Sequence, residues 1–406
     1  APSRFNPIAN FSRAKARQGY VLGRMKDLGY LTEDEYKQAM AQPIVLKSAP
    51  GTPTGGYAIH GDYVADLARQ LLYGVYQDNV YSRGFNIYTT IKSGDQEAAY
   101  KAVREGVLDY TRRAPYPGPE ETIDLPAGVE SDSNKLDGVL DSLQDKYTDS
   151  DDLLVGLVLS ASPDKVVVAR SSQEIIDITN KNALKVIARG LVKNAKEDVK
   201  IQRGSVVYVH KNGDYWEIIN KPTVQAAFVS IRPEDGAIQS MVGGFSYGDD
   251  QFNRVTAAWR QPGSSFKPFI YASTLERGMT PATQVSDEPF TLTAEQTGSK
   301  PWAPKNYGNS YEPMLTMRQG LYKSKNMVSI RLMQAVGPKY VQDYITRFGF
   351  DRARNPAVLP LALGAGAVTP LQLAGGYSVF ANGGYRVLPY LIDHITDSSG
   401  KVIMQA

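Results

Sequence analysis

The residues best suited to chemistry lie in the stretch QPGSSFKP, at 261–268. Ser264 and Lys267 lie three residues apart there, just after a Pro-Gly break, and open an apolar segment that predicts a helix ending near Gly278. Residues three apart share one helix face, so the two side chains are expected to meet. A serine hydroxyl becomes an effective nucleophile when a neighbouring base takes its proton. We therefore interpret Ser264 as a nucleophile and Lys267 as its base.

Lys267 can act as a base only if its pKa is lowered. An ordinary lysine with a pKa near ~10.4 is neutral in roughly one molecule in a few thousand at pH 7, so a shift of about 3 units is needed. Burial and the positive N-terminal end of a helix both act in that direction. The alternative interpretation is a helix cap beside a solvated charge, and the pair alone supports both about equally.

A second polar group lies about sixty residues further on. The segments 314–321 and 327–336 predict two helices, and the break between them holds Ser324 and Asn326. A hydroxyl can relay a proton, and an amide can hold a substrate carbonyl or the lysine amine. Taken alone, these two residues are better interpreted as a polar turn.

Composition limits the function classes. The 406 residues are 42% apolar and 10% aromatic, which is typical of a globular protein of two or three domains. The 45 basic and 42 acidic residues leave a net charge of +3, too balanced to indicate a nucleic-acid partner. Cysteine is absent and the three histidines, His60, His210 and His394, are far apart, so we expect no thiol chemistry, no histidine triad, and neither a metal nor a cofactor. No apolar run of 18 residues predicts a membrane span.

The first third of the chain is predicted to be mainly helical. Thr32 and Glu35 form a capping box, and the Pro- and Gly-rich residues 49–56 predict a linker. The predicted helices are 9–29, 32–41, 62–79 and 95–113, and the predicted strand is 85–91.

The composition changes at Ala114, where an acidic, serine-rich run extends to about Asp152. Short strands follow, around turns at 162–164 and 212–213, and they predict a small barrel or sandwich. Because this module carries many acidic residues, we expect it to dock a protein or to act as a spacer.

Beyond the module, two apolar strands flank the turn RPEDG at 232–236 and predict the centre of an antiparallel sheet. The Ser264 helix follows this hairpin. The predicted fold class is therefore α+β multidomain, with helices flanking an antiparallel sheet.

The two motifs, Ser264-x-x-Lys267 and Ser324-x-Asn326, in this order resemble those of the penicillin-binding proteins and serine β-lactamases. The resemblance extends further, because 223–244, 252–271 and 361–384 are similar to the transpeptidase domain of class A penicillin-binding proteins. Residues 1–25 resemble the end of that family's glycosyltransferase domain, and the inserted module resembles an OB-like barrel of Gram-negative members. The expected domains are 1–50, the end of a glycosyltransferase domain; 51–113, a linker region; 114–222, the OB-like module; and 223–406, an incomplete transpeptidase domain.

The resemblance implies a bifunctional peptidoglycan synthase at the periplasmic face of the bacterial inner membrane, with a membrane anchor outside this sequence. It implies a D,D-transpeptidase in which Ser264 is the nucleophile, Lys267 the base, Ser324 a proton relay and Asn326 a substrate-positioning residue. The implied partners are peptidoglycan stem peptides, a lipid-linked precursor and β-lactam antibiotics. An outer-membrane lipoprotein activator is an implied partner of the inserted barrel.

Two features depart from the family pattern. The family's Lys-Thr/Ser-Gly motif is absent from the 80 residues after Asn326, and Lys92-Ser93-Gly94 precedes the nucleophile, so we expect the motif beyond Ala406. The glycosyltransferase glutamates are likewise expected before Ala1. Two alternatives remain open at this point. One is a serine β-lactamase or D,D-carboxypeptidase, and the other is a non-catalytic binding or scaffold protein.

Overall fold

The structure is a computed structural model that describes residues 11–44 and 59–406. Contacts divide the chain into two units, Ala1–His60 and Gly61–Ala406, which are described separately below. The second unit holds all four residues of the predicted site.

The described part of the first unit is a pair of helices, α1 (Phe11–Asp27) and α2 (Glu33–Ala41). The predicted capping box is confirmed, because the Thr32 hydroxyl accepts from the Glu35 N–H at 3.3 Å and the Glu35 carboxylate accepts from the Thr32 N–H at 2.8 Å. The predicted start of the first helix at residue 9 and the predicted linker at 49–56 lie outside the described residues.

The second unit begins with two helices and the inserted module. Its elements are α3 (Asp62–Tyr76), β1 (Asn86–Thr89), α4 (Ser93–Arg112), β2 (Glu121–Thr122), α5 (Ser133–Lys146), β3 (Leu153–Ser162), β4 (Lys165–Ser171), β5 (Glu174–Ile178), α6 (Lys181–Leu191), β6 (Ser205–Asn212) and β7 (Tyr215–Ile218). The predicted helices and strand of residues 61–113 are confirmed as α3, α4 and β1. Helix α3 and strand β1 are each three residues shorter than expected, and α4 begins two residues earlier and ends one residue earlier than expected.

The module is an antiparallel sheet covered by helices on both faces. The strand order is β2-β6-β3-β4-β5, with β7 also paired to β6. One face packs on α6 around the buried Ile187, and the other packs on α5 and α4 around Leu140 and Leu108. Within Gly61–Ala406 no ladder joins β5 to β7 or β2, so the strands form an open six-stranded sheet, and closure into the predicted small barrel is not confirmed.

Two helices of the module were missed by sequence reasoning. The acidic, serine-rich run contains α5, whose apolar residues Leu136, Leu140 and Leu143 are spaced by four and three and are all buried. Apolar residues at that spacing lie on one face of a helix, and the pattern therefore indicates α5. The acidic residues around it are more typical of a segment between domains. Helix α6 begins at Lys181, and the side chain of the preceding Asn180 accepts from the N–H groups of Asn182 and Ala183.

The remaining elements build the region around the predicted nucleophile. They are β8 (Phe228–Ile231), β9 (Ile238–Val242), α7 (Arg254–Ala257), α8 (Lys267–Glu276), β10 (Gln284–Ser286), α9 (Ala294–Thr297), β11 (Met314–Thr316), α10 (Met317–Tyr322), α11 (Asn326–Val336), α12 (Pro338–Ile345), α13 (Pro370–Ala381), β12 (Ile392–Thr396) and β13 (Val402–Gln405). The helix predicted over 314–321 is wrong in its first turn, because 314–316 pairs with β10 as a strand and Thr316 then caps α10.

Two antiparallel sheets meet beside these helices. The hairpin β8-β9 forms one, and β1-β12-β13 forms the other. A parallel bridge between Ala237 and Tyr390 joins them. Strand β1 and the adjoining α4 come from the region expected to be a linker. The Gln96 side chain of α4 bonds both the N–H and the C=O of Met241 in β9, at 2.8 and 3.0 Å.

Helix α8 is the centre of the largest apolar core. Phe266, Phe269 and Ile270 are fully buried against residues of α11, α12 and α13. The Phe269 ring lies within 5.3 Å, between centroids, of the rings of Phe266, Phe348, Phe350, Tyr377 and Phe380. Such packing on all sides fixes the start of α8, where the predicted nucleophile and base lie.

Within the described ranges, 11–44 and 59–406, no helix has the length and apolar content that crossing a membrane requires. Nor do these ranges contain a cluster of three or more His, Cys, Asp or Glu residues that could hold a metal ion. The polar residues predicted to be catalytic lie beside α8.

Candidate active site

Ser264 lies in a tight turn immediately before α8. Residues Gly263–Phe266 form one turn of 3₁₀ helix, and the Lys267 N–H donates to the Ser264 C=O. Side chains at i and i+3 eclipse each other in a 3₁₀ helix, which places Ser264 and Lys267 on the same side more closely than an α-helix would. Ser264 is exposed whereas Lys267 is buried, so the serine hydroxyl can meet a substrate from outside.

The amine of Lys267 is held by three oxygen atoms of the second motif. Lys267 is 1% exposed. Its Nζ donates to the Ser324 C=O at 2.6 Å, to the Ser324 Oγ at 3.1 Å and to the Asn326 Oδ1 at 2.8 Å. The two motifs are thus brought into direct contact across 57 and 59 residues of sequence.

The partners of Lys267 are all neutral, and this sets its acid–base behaviour. Burial lowers the pKa of Lys267 from 10.5 to about 8. An amine with that pKa is neutral in roughly one molecule in ten at pH 7, compared with one in a few thousand for an exposed lysine. The predicted condition for a lysine base is therefore largely met, because the structure removes water from the amine without supplying a carboxylate.

Ser324 and Asn326 are presented by a strained turn between α10 and α11. Ser324 has a φ of 53°, in the left-handed region that serine seldom occupies. The turn is closed by the Ser324 N–H to the Leu321 C=O and the Lys325 N–H to the Gly320 C=O, both at 2.9 Å. The Asn326 Nδ2 donates to the Lys305 C=O at 2.7 Å, which leaves the Oδ1 for Lys267.

The turn that carries Ser264 is also held by the segment that follows residue 363. The Gly263 N–H donates to the Gly364 C=O at 3.3 Å, and Arg260 pairs with Val368. Gly364 has a φ of 72°, and a Cβ atom there would lie 2.1 Å from the Gly263 carbonyl oxygen. Only glycine fits this approach. The sequence signal for it was the glycine-rich run LGAG, which the motif analysis left without a role.

Asn306 is a further residue of the site that sequence reasoning missed. Its Oδ1 accepts from the backbone N–H groups of Asn326 at 2.8 Å and Met327 at 3.3 Å, and so caps the N-terminus of α11. Asn306 lies twenty residues before Asn326, in a segment with no periodic pattern. No local signal therefore connects the two residues.

Two protein-family models match this chain. The penicillin binding protein transpeptidase domain matches residues 226–405, which include all four predicted site residues. The penicillin-binding protein OB-like domain matches residues 116–224, which correspond to the inserted module.

Curated relatives that match the whole of this chain agree with these domains. The chain is 40% identical over 405 residues to penicillin-binding protein 1A of Neisseria flavescens, covering 100% of this chain and 50% of that protein. It is 36% identical over 413 residues to penicillin-binding protein 1A of Pseudomonas aeruginosa, covering 100% of this chain and 48% of the relative. The chain thus spans about half the length of the curated relatives it matches.

A solved structure shares the whole fold. The crystal structure of penicillin-binding protein 1A from Haemophilus influenzae is 33% identical, with a TM-score of 0.77, and the match covers 100% of this chain and 57% of that one. The order of the two domains, the contact between the two motifs and the matches over the whole of this chain all indicate the same family. The chain belongs to the penicillin-binding proteins.

Proposed function

We propose that this chain carries the D,D-transpeptidase activity of a peptidoglycan synthase, with Ser264 as the nucleophile. One observation carries the proposal. The Lys267 amine is buried, bonded only to neutral oxygens and placed one 3₁₀ turn from an exposed serine hydroxyl. The arrangement supplies a nucleophile together with a base that is partly deprotonated at neutral pH.

In the proposed acylation step, neutral Lys267 removes the proton from the Ser264 hydroxyl while the oxygen attacks the carbonyl carbon of the penultimate D-Ala of a stem peptide. The peptide bond to the terminal D-Ala breaks. Ser324, which accepts a hydrogen bond from the Lys267 amine, passes the proton on to the leaving nitrogen. The products are free D-Ala and a stem peptide esterified to Ser264, and Lys267 is neutral again.

In the second step, the amine of a neighbouring stem peptide attacks the ester carbonyl and Ser264 regains its proton, which completes a cross-link. Asn326 keeps its Oδ1 on Lys267 and positions the bound peptide. The backbone N–H of Ser264 supplies one donor to the oxyanion formed in both steps, a contribution of about 3 kcal/mol where such donors have been measured. β-Lactams acylate the same serine because their amide takes the place of the D-Ala-D-Ala bond.

The wider role follows from the relatives. We propose that the chain acts at the periplasmic face of the inner membrane, within a longer protein that also polymerises glycan strands from a lipid-linked precursor. We assign the OB-like module, which carries many exposed charges, to docking a protein partner, for which an outer-membrane lipoprotein is our candidate. Similarity of the whole of this chain to about half of proteins named penicillin-binding protein 1A supports these assignments.

A fluorescent penicillin tests the proposal on the full-length protein. We expect stable covalent labelling that is lost in Ser264→Ala and retained in Ser299→Ala, which removes an exposed serine hydroxyl elsewhere in the same unit. Labelling that disappears within seconds would instead identify a β-lactamase or D,D-carboxypeptidase. A folded wild-type protein that takes up no label would support the scaffold alternative, and labelling that survives in Ser264→Ala would assign the nucleophile to another residue.

A further inference from the structure

We propose that Asp287 is a positioning residue for the acyl-transfer reaction, acting through Asn306 and Lys325 to hold the Ser324–Asn326 turn against the Lys267 amine. This inference rests on the proposed function. Asp287 directly follows β10 and is completely buried, and its side chain bonds Asn306, Glu312 and Lys325. A buried carboxylate costs a great deal of solvation, so its partners reveal what it stabilises.

Both oxygens of the Asp287 carboxylate are fully used. Its Oδ1 accepts from the Asn306 Nδ2 at 2.8 Å. Its Oδ2 accepts from the Lys325 Nζ at 2.9 Å and from the Glu312 N–H at 3.1 Å. A carboxylate paired with an ammonium group can only accept hydrogen bonds. Each neighbour of Asp287 must therefore turn an N–H group toward the carboxylate, and this fixes the orientation of the Asn306 amide.

The first consequence is a fixed amide orientation at Asn306. Because the Asn306 NH₂ group must face Asp287 and the Ser310 C=O, its Oδ1 must face the other way. That oxygen accepts from the Asn326 and Met327 N–H groups at the first turn of α11. Asn326 is thereby held where its own Oδ1 reaches Lys267 at 2.8 Å. If the Asn306 side-chain amide were rotated by 180°, its NH₂ group would face the Asn326 and Met327 N–H groups, and neither side would find an acceptor.

The second consequence concerns Lys325, which lies between the two residues of the motif. Its amine bonds the Asp287 carboxylate, the Ser310 C=O at 3.1 Å and the Glu312 carboxylate at 3.4 Å. These bonds hold the Lys325 side chain away from Lys267. Anchoring Lys325 also holds its neighbour Ser324 in the left-handed conformation. Burial opposes the charge on Lys325, but the two carboxylates outweigh it and raise its pKa.

The two lysines of the site are thus given opposite environments. Lys325 takes the carboxylates, and Lys267 receives only the neutral oxygens of Ser324 and Asn326. Asp287 contributes to both arrangements because it binds Lys325 directly and orients Asn306. Loss of its charge is therefore expected to misplace the Lys267 acceptors, and a displacement of about 1 Å in a catalytic group can reduce a rate by about 100-fold.

The test uses the full-length protein and separates chemistry from folding and from binding. The acylation rate at saturating penicillin, the non-covalent dissociation constant and the melting temperature are measured for each variant. We expect Asp287→Asn to lower the saturating rate at least tenfold while the dissociation constant changes less than about threefold. Asp343→Asn, which removes the exposed ion pair with Arg352, is the matched control and is expected to acylate at the wild-type rate.

Exchange of the two side chains supplies the decisive variant. In Asp287→Asn combined with Asn306→Asp, residue 306 still offers an oxygen to the Asn326 and Met327 N–H groups, and residue 287 still offers one to Lys325. We expect the double variant to recover at least half of the logarithm of the lost rate, because every donor around Asn326 keeps an acceptor. What it still lacks is the Asn306 contact with the Ser310 C=O and the charge opposite Lys325, whose amine then bonds a neutral amide oxygen. Asn306→Ala leaves the Asp287–Lys325 pair intact and is expected to show the same kinetic defect as Asp287→Asn.

The outcomes distinguish the inference from the proposed function. Wild-type rates per folded molecule in Asp287→Asn would overturn the positioning role. If Asp287→Asn does not fold, a folded Asn306→Ala with a wild-type rate, or a folded double variant no faster than Asn306→Ala, would overturn it as well. A wild-type protein that is not acylated at Ser264 would instead remove the proposed function.

Discussion

At the scale of the residue, the site depends on which atoms surround one amine. Lys267 has a carbonyl, a hydroxyl and an amide oxygen for partners, and burial lowers its pKa to about 8. A carboxylate at the same distance would have stabilised the ammonium form and removed the base. Lys325 is a lysine of the same site in that other environment. The carboxylates of Asp287 and Glu312 outweigh the effect of burial and raise its pKa.

We predict that Lys267→Arg slows acylation by about 10²–10⁴-fold, because arginine keeps the charge but stays protonated and cannot take a proton. Stopped-flow measurement with a chromogenic β-lactam checks the rate. The control is Lys339→Arg, the same change at an exposed lysine of α12, which should leave the rate unchanged. A Lys267→Arg rate within threefold of the wild type would show that the lysine contributes only its charge.

The pH dependence of acylation gives a second prediction. Since Lys267 acts as a base only when deprotonated, the rate should rise as pH increases from 6 and should level off above a midpoint of about 8. The direction follows from the lowered pKa, because an ordinary lysine would place the midpoint above pH 10. Acylation rates in overlapping buffers measure the curve, and a flat profile between pH 6 and 9 would exclude Lys267 as the base.

The residues proposed to carry the chemistry could be found from the sequence, whereas the residues that hold them in place could not. Ser264, Lys267, Ser324 and Asn326 form two short motifs, and the resemblance to a family paired them across sixty residues. Asp287 and Asn306 are single polar residues in irregular segments, and only the folded chain brings them to the turn. Their function depends on long-range contacts, which no local pattern records.

At the scale of the element, the close contact of two backbones positions the turn that carries the proposed nucleophile, Ser264. Gly364 lies so near the Gly263 carbonyl that a Cβ atom would come within 2.1 Å of it, and its φ of 72° disfavours any other residue. The segment therefore acts as a fixed support for the turn that carries Ser264.

We predict that Gly364→Ala lowers the acylation rate at least tenfold, because the added methyl group must push the Ser264 turn away from Lys267. The melting temperature should fall as well, since backbone strain is introduced. Gly383→Ala is a matched control, because it also replaces a glycine of positive φ, at 84°, but has open space around it. A Gly364→Ala rate equal to that of Gly383→Ala would contradict a positioning role for this contact.

Secondary structure was predictable wherever one local signal dominated. The capping box at Thr32, the helix that became α4 and the turn between β6 and β7 are confirmed. The helix predicted over 314–321 was wrong at its start because pairing with β10 overrides the helical preference of 314–316. Helix α5 was missed because its buried leucines lie within an acidic run, and the composition was given more weight than the spacing.

At the scale of the molecule, a charge cluster built on the buried Arg104, His210 and Glu217 ties the OB-like module to helix α4. His210 of β6 lies between Asp152 and Glu217, and Arg112 of α4 bonds Glu217. Arg104 of α4 bonds Asp152 and also the Phe245 C=O, just beyond β9. The cluster therefore joins the module, α4 and the transpeptidase segment through ion pairs between basic and acidic side chains.

This cluster predicts a loss of stability in mild alkali. Burial opposes the charge on His210, but the hydrogen bonds and charges of Asp152 and Glu217 outweigh it and raise its pKa to about 9. A histidine with a raised folded-state pKa stabilises the fold fully below its unfolded pKa of ~6.5, and this contribution is lost as pH rises through 9. We expect the free energy of unfolding to fall by about 1–3 kcal/mol between pH 6.5 and 9.5.

Urea unfolding at several pH values measures this decline. His210→Gln, which cannot be charged, should be less stable than the wild type at pH 6.5 and should show a flatter pH dependence. His394→Gln is the control, because His394 lies in β12, away from the module, and this variant should keep the wild-type decline. An unchanged slope in His210→Gln would show that the cluster does not control the alkaline transition.

The central claim, that Ser264 forms an acyl-enzyme with the help of Lys267, is tested most directly by mapping the penicillin adduct. The full-length protein is treated with benzylpenicillin, quenched, digested and analysed by peptide mass spectrometry. The account predicts one penicilloyl adduct on Ser264, absent in Ser264→Ala and formed much more slowly in Lys267→Arg. An adduct on a different residue, or none on a folded protein, would contradict it.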